Sequence, residues 1–420
     1  MRGGAAWGWV LVAAALGLRV GWVLYRWFHG GAGLEFPDEE LHWQLARNLV
    51  DHGALVSDDG RCAARMPVYP LLLATVAWAG RWGILLARLG QALMGAATTY
   101  VAYRWTRVAC GARAAVLAGV LVCCDPYSIF FCNSLLSEVP FIFFGVCLSY
   151  GVWTLGREPG RRGLIPLVAV AVLGPATLMA RPSSAGWVVL LWLVLAVWSG
   201  SRRRAVTRVA IVGVAMAACM LPWGLRNRAV LGGFAWLSAN GGVTLYDAQG
   251  PQADGSSNQT FLRDMPELAG LDELGRDQTL QRLAIEQMRR DPLRVLRLAG
   301  AKFLRTWNPI PNVPEYRVGV VAAISAVYTG AVVLLALAGL WRRRRNGPAN
   351  GRLLVLLWLP VVYFTIVHCV YVGSVRYRVP LMTFLEIAAA VALASLLRAR
   401  RAGEGGAGEH AGCNESAAKP

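Results

Sequence analysis

The chain is short of charge. Only 16% of its 420 residues are Asp, Glu, Lys or Arg, against about 25% in soluble domains. Together with repeated apolar runs long enough to cross a bilayer, that deficit excludes an ordinary soluble fold. Lysine is nearly missing, since 40 of the 42 basic residues are Arg. Genome composition accounts for that bias, because Arg and Lys orient membrane segments equally well. Acids are outnumbered 24 to 42, leaving a formal net charge of +18. The nine Cys contain no metal-type CxxC pair, and no HxxxH or HxH spacing occurs. Cys110, Cys123, Cys124, Cys132, Cys147, Cys219 and Cys369 lie in or beside apolar runs, where Cys packs as a small hydrophobe. Cys62 and Cys413 lie in polar sequence. No internal repeat is visible.

What is present is a series of apolar runs punctuated by arginine. Residues 5–28 run apolar past any signal cleavage site and read as an uncleaved first span. Arg19 interrupts it, as a functional intramembrane charge or one that snorkels to the interface. Two spans are expected in 113–156, turning near Asp125–Glu138, and two in 164–200, turning near Arg181–Ser184. Single spans are expected at 82–104, 209–225, 316–341, 352–372 and 379–397. Arg104, Arg107 and Arg113 form one basic cluster, and Arg157, Arg161 and Arg162 a second beside Glu158. Arg202, Arg203, Arg204 and Arg208 form a third, Arg342 to Arg345 with Arg352 a fourth, and Arg398, Arg400 and Arg401 a fifth. Such clusters mark the cytoplasmic side. The basic excess is thereby assigned to membrane orientation, and no nucleic-acid partner is expected. Successive clusters must lie an even number of crossings apart, which gives about ten spans with both termini inside. Residues 67–80 are too short to cross at 1.5 Å per residue and are expected to lie at the interface.

Two large outer segments result, 29–81 and 226–315. The first carries seven acids (Glu35, Asp38, Glu39, Glu40, Asp51, Asp58, Asp59) in a basic protein. The second has ten acids and eleven bases, turn-rich sequence and an expected helix from Leu274 to Arg290. It reads as a small outer cap with helices lying on the membrane. Asn258-Gln259-Thr260 is a glycosylation sequon only where that machinery exists. The division expected is a membrane domain over 1–402 and a disordered cytoplasmic tail over 403–420, which is low in complexity.

The motifs resemble the GT-C superfamily of integral-membrane glycosyltransferases. The most similar branch contains protein O-mannosyltransferases and the lipid A aminoarabinose and galacturonic acid transferases. Asp38-Glu39 followed by Gln44-Leu45-Ala46-Arg47-Asn48-Leu49 resembles that branch's acidic first loop. Pro67-Val68-Tyr69-Pro70 resembles its Pro-x-Tyr-Pro element. Ser137-Glu138, Ala180-Arg181-Pro182, Pro222-Trp223 with Arg226-Asn227 and Gly241-Gly242, and Arg376-Tyr377-Arg378 with Pro380 also have counterparts. His42 departs from the pattern, standing where Tyr is common. The resemblance implies an all-α polytopic membrane fold and transfer of a sugar from a polyprenyl-phosphate donor. The acceptor would be a glycan, lipid or protein hydroxyl, at the outer face of a bacterial plasma membrane.

Such a reaction needs a base for the acceptor hydroxyl and cations for the leaving phosphate. Asp38 is the candidate base and Glu39 its nearest competitor. Asp38 follows Pro37, so it could equally cap a helix over Glu39–Leu49. Glu40, Asp51, Asp58 and Asp59 read as solvated loop charges. Outward Arg near span ends are the phosphate candidates: Arg65, Arg81, Arg88, Arg181, Arg226, Arg376 and Arg378. Arg226, Arg376 and Arg378 lead because they match motifs. Tyr69 and Glu138 complete the candidate substrate contacts. No metal ligand set is assigned, although a divalent metal on Asp38, Glu138, His29, His42 or His52 is compatible with the composition. Glu386, inside the last span, is expected to pair with an Arg.

Three other readings stay open: a lipid-linked-sugar transporter or flippase, an enzyme of the O-antigen ligase or polymerase type, and a non-catalytic scaffold. The first should show internal repeats and interrupted helices in its two halves. The second should carry its key residues in a large late loop.

Overall fold

The computed structural model describes residues 3–157, 163–346 and 351–412, with side chains for 6–157, 163–341 and 351–399. Glu158, Arg161, Arg162 and Cys413, and the side chains of Arg342 to Arg345, Arg400, Arg401 and the rest of the expected tail, lie outside these residues. Among the described residues there is no strand. That follows from the apolar runs, because a lipid-exposed backbone must bond its own N–H and C=O groups within one helix.

Each expected span is helical. They are α1 (Gly3–Gly30), α4 (Arg81–Cys110), α5 (Ala112–Cys123), α7 (Glu138–Arg157), α8 (Leu164–Ala180), α9 (Ala185–Trp198), α10 (Arg202–Leu231), α15 (Gly319–Asn346), α16 (Gly351–Val370) and α17 (Val375–Gly412). Six are long and apolar enough to cross a membrane: α1, α7, α10, α15, α16 and α17. Helices α5, α8 and α9 are shorter, and α4 buries Arg88, Gln91, Thr98 and Thr99. Gly111, at φ 90°, separates α4 from α5 in a conformation that an L side chain resists. Pro182–Ser184 turns α8 into α9 as one 3₁₀ turn, where the sequence placed it.

Between the spans lie α2 (Pro37–His52), α3 (Val68–Ala77) and α6 (Pro126–Phe131). The segment 226–315, expected to lie outside, contributes α11 (Gly241–Gln249), α12 (Phe261–Asp264), α13 (Glu273–Arg290) and α14 (Pro292–Thr306). Helix α14 exposes Leu293, Leu296, Phe303 and Leu304 on one side and buries Lys302 and Leu298 on the other. An exposed apolar stripe of this kind suits a helix lying in the membrane interface.

Helix α17 is the axis of the core. Leu381, Met382, Phe384, Leu385, Ile387, Ala389 and Ala390 are all buried, within a cluster that includes Trp105, Val146, Leu148 and Trp187. Apolar side chains gain little by leaving lipid for protein, so close approach matters more than hydrophobicity. Gly145 on α7 provides it, because a Cβ there would stand 2.8 Å from the Trp187 ring.

Internal arginines tie the bundle. Arg19 is fully buried and donates to the carbonyls of Ala15, Val122 and Cys123 and to the Ser128 hydroxyl at 3.0–3.2 Å. It therefore pins α1 to the end of α5 rather than reaching an interface. Among the described residues Glu386 pairs with no arginine, contrary to expectation; it meets the Tyr328 hydroxyl at 2.7 Å.

Two sets of contacts identify the two ends of the bundle. Arg208 donates to the Leu155 carbonyl at 3.0 Å and Arg352 to that of Gly156, so these arginine clusters share one end. The acidic loop sits with the starts of α7 and α17 at the other, as described next.

Candidate active site

Helix α2 starts at Pro37, and Phe36 occupies the N-cap position. Asp38 is thus inside the helix and is not its cap, contrary to the capping alternative. Capping falls to Glu39, whose Oε1 accepts from the N–H groups of Glu35 and Phe36, each at 3.1 Å. Its Oε2 accepts from Leu135 N at 2.7 Å, fastening α2 to the segment before α7. Glu39 is 1% exposed, and burial pushes its carboxyl above the usual range. Both oxygens are occupied by backbone amides, so Glu39 anchors the start of α2.

Asp38 is left free to face the bundle. Its Oδ1 accepts from Arg65 at 2.6 Å and its Oδ2 from Arg376 at 2.6 Å. The Arg376 guanidinium also binds Glu138 Oε1 through Nε. Arg181 approaches the same oxygen at 3.5 Å. The result is a continuous chain, Arg65–Asp38–Arg376–Glu138–Arg181, drawn from the first loop and from α7, the α8–α9 turn and α17. Three guanidiniums against two carboxylates leave one positive charge. Burial favours protonation of Asp38, but the fields of Arg65 and Arg376 outweigh it and hold its carboxyl far below the ordinary range. Glu138 is fully buried, and among the described residues its Oε2 has no hydrogen-bond partner. Arg181 lies over both the Phe141 and Tyr377 rings at 5.6 Å, and Tyr377 stacks on His368 at 4.1 Å.

His42 lies one turn beyond Asp38 and is held neutral, with burial and the Arg65 charge lowering its pKa to about 3. Its ring meets Tyr69 edge-on at 4.9 Å. The Tyr69 hydroxyl donates to Gln91 at 3.2 Å, so Tyr69 supports α2 from below.

The remaining candidates are engaged elsewhere. Arg226 donates to the carbonyls of Leu55 and Cys62 at 2.6 and 2.5 Å and lies over Trp223. Arg378 is fully buried; it donates to Asn308 O at 2.6 Å and to the Tyr127 hydroxyl at 2.7 Å. Arg88 donates to Gly31 O and Gly33 O at 3.0 and 2.6 Å. Arg81 is exposed over Trp82. Motif position alone ranked Arg226 and Arg378 with Arg376. Contacts separate them, because only Arg376 touches Asp38. Asp58 pairs with Arg47 and Asp59 with Arg61, at 3.0 and 2.9 Å. Glu40 and Asp51 are exposed, as expected of solvated charges, but they lie on helix α2 and not in a loop.

Among the described residues no group of three or more His, Cys, Asp or Glu is gathered. Asp38 and Glu138 each face arginine, and His29 and His52 are exposed. A groove of about 370 Å³ runs along the outer side of α2 between Pro37, Leu41, Gln44 and Asp59. A cavity of about 400 Å³ at Trp153, Arg157 and Arg352 lies at the far end of α7, about 28 Å from Glu138 along the helix. Neither is lined by Asp38, Arg65, Glu138, Arg181 or Arg376.

Three residues that support this site carry no local signature. Glu273 receives the amides of Cys62 and Ala63. Lys302 holds the carbonyl that ends α16. Asn312 receives the amide of Val375. Each acts on backbone remote in sequence, which local pattern does not encode.

No family profile and no curated protein matches the chain. Among solved structures it is similar to the archaeal oligosaccharyltransferase AglB from Archaeoglobus fulgidus, solved with an inhibitory peptide and a dolichol-phosphate. That match has a TM-score of 0.58 and 14% identity, and covers 96% of this chain and 52% of that one. The chain thus spans about half the length of AglB. ArnT from Cupriavidus metallidurans matches with undecaprenyl phosphate bound at TM-score 0.47 and 17% identity, and in the apo state at 0.43 and 16%. Each of these covers 92% of this chain and 77% of ArnT. The all-helical architecture expected from the motifs and the AglB likeness agree: this chain shares its fold with the oligosaccharyltransferase AglB.

Proposed function

We propose that the protein transfers a sugar from a polyprenyl-phosphate-linked donor to an acceptor hydroxyl at the outer membrane face. The observation that carries this is the Asp38–Arg65–Arg376 contact, a carboxylate between two guanidiniums at one end of a membrane bundle. AglB, which shares the fold, is solved with a polyprenyl phosphate.

In this reading the acceptor oxygen attacks the anomeric carbon while the bond from that carbon to the phosphate oxygen breaks. The electron pair of that bond leaves with the phosphate, and the hydroxyl proton passes to Asp38. A carboxylate held by two arginines is a weak base, and the donor relieves this. Its phosphate competes for Arg65, Arg376 and Arg181, since guanidinium binds phosphate in the same bidentate manner as carboxylate. As the arginines turn to the phosphate, the fields that depress Asp38 weaken and its basicity rises. Donor binding thus supplies both the leaving-group stabilisation and the base.

The test is transfer by the purified protein from a radiolabelled polyprenyl-phosphate sugar to envelope acceptors. Turnover by wild type and its loss in Asp38→Asn supports the proposal. Wild-type turnover in Asp38→Asn removes Asp38 from the mechanism. Sugar movement across vesicles without any transfer would replace the enzyme reading by transport.

A further inference from the structure

Both arginines that flank Asp38 are held from behind by the outer segment 226–315. Arg65 belongs to a backbone stretch fixed three times. Cys62 N donates to Glu273 Oε2 at 2.6 Å, and Ala63 N to Glu273 Oε1 at 3.0 Å. The Ala63 carbonyl accepts from Ala239 N at 2.8 Å. Arg376 follows a short link, residues 371–374, between α16 and α17. Lys302 donates to the Val370 carbonyl at the start of that link at 2.8 Å, and Gln249 donates to the same oxygen at 2.6 Å. Arg305 donates to Gly373 O at 3.4 Å, and Val375 N donates to Asn312 Oδ1 at 2.7 Å. Gly373 rests directly on the α14 backbone, where a Cβ would come within 2.5 Å of the Lys302 carbonyl oxygen.

Space-filling alone does not explain these contacts. Lys302 is fully buried, and burial lowers its amine to about 8. A leucine would fill the same place without desolvating an ammonium. Burial likewise raises the Glu273 carboxyl, so its charge is kept at a cost for the sake of two backbone amides.

We infer that the outer segment is a clamp that sets the spacing of Arg65 and Arg376 across Asp38, with Glu273, Lys302 and Gly373 as positioning residues of the site. Glu273 fixes one arm and the Lys302–Gly373 contact fixes the other. Both elements belong to one packed unit, since α13 leads into α14 through Asp291 alone. The inference rests on the roles proposed above for Asp38 and its arginines.

The experiment compares the full-length protein with Glu273→Ala, Glu273→Gln, Lys302→Met and Gly373→Ala. Arg290→Ala, on the exposed side of α13, is the control. Hydrogen–deuterium exchange reads backbone mobility at 62–66 and 371–377. Affinity for a polyprenyl phosphate reads arginine placement, and kcat for transfer reads the chemistry. Glu273→Ala is expected to raise exchange at 62–66 alone by about tenfold, and Lys302→Met and Gly373→Ala to raise it at 371–377 alone. Each should weaken polyprenyl-phosphate binding by about tenfold, with partial recovery in Glu273→Gln, whose amide oxygen still accepts a hydrogen bond. Arg290→Ala should match wild type. Raised exchange with wild-type affinity would make the segment a mere scaffold and overturn the clamp, as would unchanged exchange. If Asp38→Asn is dead while the clamp variants bind normally, the clamp falls and the base stands. If Asp38→Asn turns over while the clamp variants lose binding, the base falls and the clamp stands.

Discussion

At the scale of single residues, Asp38 and Arg376 carry the most consequence. Asp38 was legible as a chemical candidate, but its local role was not. Pro37 and the following acids suit either a cap or a first-turn residue, and only the backbone decides. With the cap position at Phe36, Asp38→Asn should fold normally and lose about 100-fold or more in transfer rate, measured beside Glu39→Gln. Glu39→Gln should instead lower thermal stability, because it disturbs the amide contacts that start α2. The pH dependence has a definite sign. Arg65 and Arg376 depress the Asp38 pKa in the free protein, so the acidic limb of the free-enzyme pH profile should lie below the ordinary carboxylate range. Replacing Arg65 by Gln should move that limb upward in pH. Arg376→Ala leaves Glu138 fully buried without its main partner, which should cost roughly 3–5 kcal/mol of stability. Arg376→Lys should recover part of the stability without recovering donor affinity. Arg226→Ala should mobilise the loop carbonyls at Leu55 and Cys62 rather than remove a phosphate ligand, so loop proteolysis should rise.

At the scale of elements, the spans were legible and their fastenings were not. Period and length reveal an apolar helix, and the 3₁₀ turn at Pro182 follows from proline's missing donor. The contacts of Arg19, Arg378 and Arg88 with distant carbonyls have no local signature. Motif order placed Arg226 and Arg378 near a ligand, whereas in the folded chain they satisfy backbone oxygens at turns. The outer segment offers its own test. Gly242 N donates to Asp277 Oδ1 at 2.7 Å, and a Cβ at 242 would overlap the Asp277 carbonyl oxygen. Gly242→Ala should therefore push α11 off α13. The expected readout is a lower melting temperature and faster proteolysis within 226–315, with the membrane helices intact.

At the scale of the whole molecule, arginine placement foretold which helix ends share a side. The Arg208–Leu155 and Arg352–Gly156 contacts gather the basic clusters, and the Asp38–Arg376 and Glu138–Arg376 contacts gather the opposite ends. Which end faces outward follows from the positive-inside rule. In intact cells, a membrane-impermeant thiol reagent should label Gln259→Cys above the wild-type background but not Arg203→Cys. The reverse pattern would invert the orientation. The charge chain also has a history in time. Asp38 and its partner Arg376 are 338 residues apart, and at 5–20 residues per second the ribosome needs roughly 20–70 s to go from one to the other. During that interval Asp38 has Arg65 as its partner but not Arg376, and Glu138, once made, waits at a helix end without its main counter-ion. The charge chain is completed only when α17 takes its place, so on the proposed function a chain truncated before Arg376 should be inert toward lipid-linked sugar however much of the bundle has already assembled.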